Sequence, residues 1–214
     1  MAALAWSAPK APASRPRGPE TAQSLVLAAL QRAQVDLARD ACLIGVEVRM
    51  GCSYVAGVGW GLDRKDVEYY FDEFSYWFKS PRQQWYQRIS RCDAAGDYGM
   101  DQPDCMAPLG VWSSQDRKPG KFTPNGKCLD EMAFDSNKAM EAALAKGLSN
   151  TTGCFMFLYL RSLESKAKKF ARLNGKTFWV ATDEVDPEKA KRCVAFSAAD
   201  GEPLWDGACA GLLW

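Results

Sequence analysis

Apolar and polar positions alternate along this chain with two different periods. Leu27, Leu30, Ala33, Leu37 and Ala41 recur on one face of a 3.6-residue helix, with Gln31, Arg32, Asp36 and Arg39 off it, so a helix is expected over 21–41. Next, Ile44, Val46, Val48 and Met50 alternate with Gly45, Glu47 and Arg49, which is the period of a strand. Further on, Asp135 or Ser136 opens a short helix that Gly147 stops. The spacing of Tyr159, Leu163, Ala167, Phe170 and Leu173 predicts a helix over 155–173, stopped by Asn174-Gly175. Residues 176–181 and 192–198 carry strand patterns, and Asp200-Gly201 marks a turn.

The densest apolar stretch lies between these elements. From Tyr69 to Phe78, seven of ten residues are aromatic. Val67, Tyr70, Phe74, Trp77 and Phe78 fall at i, i+3, i+7, i+10 and i+11, a spacing that predicts a helix beginning near Asp63 and ending before Pro81. A single helix face does not hold so many aromatics. Tyr70, Phe74, Trp77 and Phe78 are therefore assigned to the protein's own core. Tyr69, Phe71, Tyr76 and Trp85 are assigned to a surface that meets another subunit, a flat pigment or lipid. The resulting fold class is α+β, a helix-rich single domain over 23–214 with four or five helices and a small antiparallel sheet. Residues 1–22 form a flexible or extended N-terminal arm, or a basic, acid-poor transit segment. No internal repeat is visible in the sequence.

Composition narrows the chemistry. The 214 residues contain no histidine, which removes Ser-His-Asp and Cys-His catalysis and histidine-ligated zinc or haem. A net charge of +1 gives no bulk attraction to nucleic acid, so none is expected as a partner. No apolar run approaches the length of a membrane span, so contact with a membrane is peripheral at most. Gly57-Val58-Gly59-Trp60-Gly61 lacks the third glycine of a dinucleotide fingerprint, because position 62 is Leu; no organic cofactor is expected.

Eight cysteines without any C-x-x-C pair suit disulfides in an oxidising compartment. Cys92 and Cys105 bracket an Asp/Gly-rich loop and are expected to pair across it. Within that loop Asp93, Asp97, Asp101 and Asp104 supply four hard oxygen donors, a candidate Ca²⁺ site whose spacing is not that of an EF-hand; a solvated turn is the competing reading. Asn150-Thr151-Thr152 is a glycosylation sequon, meaningful only in a secretory setting.

Three functions are compatible with these features. The first is a non-catalytic accessory subunit of a larger protein assembly, organellar (chloroplast or mitochondrion, photosynthetic or respiratory) or in another oxidising compartment, joined through the aromatic surface. The alternative is a secreted or lumenal disulfide-bonded binding module that also takes Ca²⁺. A second alternative is a carboxylate-dependent hydrolase pairing Asp72 or Glu73 with Asp183 or Glu184.

Overall fold

A computed structural model describes residues 20–54, 67–82, 86–92, 112–117, 127–129, 132–148, 156–164, 167–182, 184 and 189–212. In chain order they form α1 (Ala22–Asp36), β1 (Cys42–Tyr54), β2 (Val67–Lys79), β3 (Tyr86–Cys92), β4 (Trp112–Arg117), α2 (Ser136–Ala145), β5 (Met156–Ser162), a 3₁₀ turn (Lys168–Phe170), β6 (Thr177–Thr182), β7 (Cys193–Ser197) and β8 (Pro203–Gly207). The strands make one antiparallel sheet of eight in the order β4-β3-β2-β1-β5-β6-β7-β8. This is one topology used twice. A helix followed by four strands, each laid outside the last, is joined to a second such unit through the pairing of β1 with β5. The repeat lies in the order of elements and not in residue identities.

The helix-rich α+β expectation is thereby overturned: the described residues form a large sheet with two α-helices on it. The aromatic stretch is the long strand β2. Along Glu73-Phe74-Ser75-Tyr76-Trp77-Phe78 the side chains alternate between faces, as strand geometry demands. One helix-like spacing in it, from Phe71 to Phe74, comes from a bulge. Arg49 pairs with Glu73, but Met50 pairs with Phe71, so Asp72 is an extra residue in β2. Phe71 is thus returned to the face of Phe74, whose ring lies 5.4 Å away, and the two stand three apart like neighbours on a helix. The helix expected over 155–173 is strand β5 and a 3₁₀ turn. Its apolar run arises because β5 is central and covered on both faces, a pattern that periodicity cannot separate from a buried helix.

Other local signals hold. Asp135 caps α2 as expected, and the structure adds a capping box between Thr21 and Ser24 at the start of α1. Gly147, Gly175 and Gly201 end their elements at positive φ, and the strands expected over 43–50, 176–181 and 192–198 are β1, β6 and β7.

Both helices pack on the same face. α1 contributes the small residues Ala22, Ala29 and Ala33 with Leu25, and α2 contributes Ala139 and Ala143. Against them the sheet presents Val46, Val48, Met50, Phe74, Tyr76, Phe78, Leu158, Leu160, Trp179 and Phe196. Small on the helices and large on the sheet lets the layers approach and interdigitate. The helix starts meet: the Ala22 N–H donates to Ser136 Oγ at 2.9 Å and the Gln23 N–H to Asp135 Oδ1 at 3.0 Å, so residues at the start of α2 satisfy first-turn donors of α1. A second apolar cluster lies on the opposite face of β5–β8, where Tyr159, Phe178, Val180 and Ala195 pack with Phe170, Leu173 and Leu212.

Two disulfides join described residues, Cys42–Cys128 and Cys193–Cys209. They point to an oxidising compartment. No helix among the described residues is long and apolar enough to cross a membrane.

Two stability predictions follow from this architecture. In the chain-entropy account, the 86-residue separation of Cys42–Cys128 stabilises by about 4.6 kcal/mol and the 16-residue separation of Cys193–Cys209 by about 3 kcal/mol, so urea unfolding of the paired Cys→Ser variants will show the larger loss for the first. Gly201 sits at φ +79° with the Phe134 ring where a Cβ would go, so Gly201→Ala will cost about 2 kcal/mol or more in the same measurement.

Candidate functional site

On the sheet face away from the helices, the two halves differ in chemistry. In the β5–β8 half that face is apolar, and the chain covers it with its own 3₁₀ turn and C-terminal segment. In the β1–β4 half it is polar. Glu47 and Arg49 alternate with Val46, Val48 and Met50 on β1. Glu73, Ser75 and Trp77 alternate with Phe74, Tyr76 and Phe78 on β2, while Arg88 and Ser90 flank Ile89 on β3. Strand register then gathers them: Glu47 pairs with Ser75 and Ser75 with Ser90, Arg49 with Glu73, and Trp77 with Arg88. Arg161 comes from β5 beside them.

Glu73 is the hub. One carboxylate oxygen accepts from the Ser75 hydroxyl at 2.9 Å and from Arg88 Nη2 at 3.2 Å, and the other lies 3.5 Å from Arg49 Nη2. Ser75 has a single hydroxyl proton, given to Glu73, so in the 2.7 Å contact between Ser75 and Ser90 it is Ser90 that donates. Arg88 Nη2 also donates to Ser75 Oγ at 3.0 Å. Nearby, Arg161 donates to Glu47 at 3.4 Å, and its guanidinium lies 5.1 Å from the Tyr159 ring centroid. Burial pushes the pKa of Arg161 down, against which Glu47 and then Tyr159 hold it up.

These charges are largely removed from water: Glu73 is 5% exposed at its side chain, while Arg49 and Arg88 each keep 16% open. Three arginines face two glutamates. On this face the buried Trp77 Nε1 and Arg88 Nε have no hydrogen-bond partner. Each such orphan costs about 1–3 kcal/mol, and more where the group is charged. Trp77 and Arg88 are direct neighbours across β2 and β3, with the guanidinium 5.9 Å from the indole centroid.

The residues singled out in the sequence fall elsewhere. Tyr76, assigned to a partner surface, is wholly buried among core residues, and its hydroxyl donates to the Ala22 carbonyl at 2.9 Å. It belongs to the core because its strand position faces the helices. Phe71 is half-buried against that core, Tyr69 lies on β2 with its side chain outside the described residues, and Trp85 lies outside them altogether. Trp77, assigned to the protein's own core, is buried, but on the polar face beside Arg88. Asp93, Asp97, Asp101 and Asp104 lie outside the described residues, as do Cys105 and the side chain of Cys92. Among the described residues, no three His, Cys, Asp or Glu side chains are grouped to hold a metal ion.

For the hydrolase pairing, Glu73, Arg49, Phe157 and Thr182 form one row across β2, β1, β5 and β6, and Glu184 follows β6. Three strand spacings, roughly 14 Å, thus separate Glu73 from the strand that leads to Glu184. Asp183 and the side chain of Asp72 lie outside the described residues. A shallow polar cleft of about 330 Å³ lies by Lys176, Thr177, Asp200 and Glu202. There Glu202 is engaged by Arg172 and Lys176, and the Asp200 carboxyl is held below its ordinary range by the Glu202 backbone N–H, so it is a solvated turn.

Sequence reasoning did not single out Glu47, Arg49, Ser75, Arg88, Ser90 or Arg161. The signal was present in part, since Glu47 and Arg49 alternate with apolar residues; their burial was not. Glu73→Leu, which leaves two buried arginines without their shared carboxylate, will lower stability by about 3–5 kcal/mol in denaturant titration, and adding Arg88→Met will recover part of it. No family model matches the chain, no curated protein matches it, and no solved structure matches it.

Proposed function

We propose that this protein is a secreted or lumenal disulfide-bonded binding module that holds a small polar ligand on the charged face of β1–β3. The observation that supports this reading is the Glu73–Arg49–Arg88 network with its leftover donors. A buried group of charges costs stability compared with apolar residues of the same volume, so its presence calls for a purpose other than holding the sheet together. Arg49, Arg88 and Glu47 retain part of their surface, which gives a ligand access to the network. Both glutamates are already engaged by arginines, which suits holding a ligand rather than moving a proton. The disulfides Cys42–Cys128 and Cys193–Cys209 support the compartment.

The test is a thermal-shift screen of the oxidised full chain against three panels: neutral sugars, small amines and small anions. A ligand at a hundred times its Kd stabilises by about 2.7 kcal/mol, a readable rise in Tm. At least one panel is expected to raise the Tm of the natural protein, with the rise lost in Arg49→Gln and kept in Lys176→Gln, which alters only the other cleft. No rise with any panel, or a rise that Arg49→Gln retains, would refute the assignment.

A further inference from the structure

We infer that Cys52 and Cys154 are joined by a further disulfide, one that ties the two four-strand units directly to each other across β1 and β5. The described disulfides use Cys42, Cys128, Cys193 and Cys209, which leaves Cys52, Cys92, Cys105 and Cys154 of the eight cysteines. Strand register selects among these four. Along the central ladder each step forward on β1 is matched by one step back on β5, from Val46–Leu160 to Met50–Met156, with no shift. Beyond Met50 strand β1 stays regular, pairing Gly51 with Tyr70 and Cys52 with Tyr69. Two further steps of the β1–β5 ladder set position 154 directly opposite Cys52. Directly opposed residues of an antiparallel pair share a face, with Cα atoms about 4.5 or 5.5 Å apart, and a disulfide spans Cα distances of about 4.4–6.8 Å. Cys92 does not meet that condition. It shares a row with Glu73 and Arg49, two strands and three residues from Cys52, roughly 14 Å away. By strand alternation position 92 also falls with Arg88 and Ser90, whereas position 52 falls with Val48 and Met50. Cys154 itself lies outside the described residues, and the ladder up to Met156 carries the assignment. Cys92 and Cys105 are then left to each other. Closing the bond takes one proton and one electron from each thiol; both electrons pass by thiol–disulfide exchange to a disulfide donor, which is reduced to a dithiol. The cross-link fixes the register on which both faces of the sheet depend.

Peptide mapping of the oxidised full chain tests the cross-link without any substitution. The chain is alkylated in the absence of reductant, digested, and read by mass spectrometry before and after reduction. A species joining the peptides of Cys52 and Cys154 is expected, and reduction is expected to split it in two. In Cys52→Ser the thiol newly open to alkylation is expected at Cys154, and in Cys154→Ser at Cys52. The double variant Cys52→Ser/Cys154→Ser is expected to keep Cys42–Cys128 and Cys193–Cys209 and to unfold at a lower urea concentration than the natural protein. Cys52 linked to Cys92 or Cys105 overturns the proposal, as does alkylation of both Cys52 and Cys154 in the natural chain. A new thiol at any other cysteine in the single variants overturns it as well.

Discussion

The pairing of β1 with β5 is the contact on which the rest of the molecule depends. Each four-strand unit begins with one of these strands and builds outward, so this one ladder makes a single sheet of eight. The ladder runs Val46–Leu160, Val48–Leu158 and Met50–Met156 on the helix side, which makes the core beneath α1 and α2 continuous. It also brings the two helix starts together, where Asp135 and Ser136 accept from the first turn of α1. A slip of one residue would turn both sets of side chains over, placing Glu47 and Arg49 under the helices.

The same ladder sets a polar half-face beside an apolar one. Phe157 and Tyr159 on β5 are the direct neighbours of Arg49 and Glu47 on β1. On one side of that line the sheet is closed by Phe170, Leu173 and Leu212. On the other side it carries five charged groups tied through Glu73 and Glu47. Two units of one topology have thus been given different chemistry at equivalent places. One spends its outer face on packing; the other places there a network that packing alone does not require. This contrast supports a ligand-binding reading without any catalytic motif.

The disulfides act on different parts of this frame. Cys42–Cys128 ties the first residue of β1 to the segment preceding α2, linking the start of one unit's sheet to the approach to the second. Cys193–Cys209 holds the C-terminal segment against β7, on the face that segment covers. Both fasten a covering segment to the sheet.

By itself, the sequence determined what rests on neighbours in the chain. Asp135 as a helix cap, Gly147 and Gly175 as stops, the turn at Asp200-Gly201 and the alternation over 43–50 all act within a few residues, so they were legible. An even set of cysteines without metal spacing also indicated an oxidising compartment. Tertiary structure alone decided the rest. The bulge at Asp72 exists only against β1, and it alone sets Phe71 and Phe74, three apart in sequence, on one face of a strand. The apolar run of β5 is that of a strand only because other segments cover both its faces. Tyr76 and Trp77 are adjacent in sequence yet lie on opposite faces, one in the core and one beside Arg88. The polar network joins residues 47 to 161, brought together by strand register across the sheet, and that register is a long-range property that no local window of sequence contains.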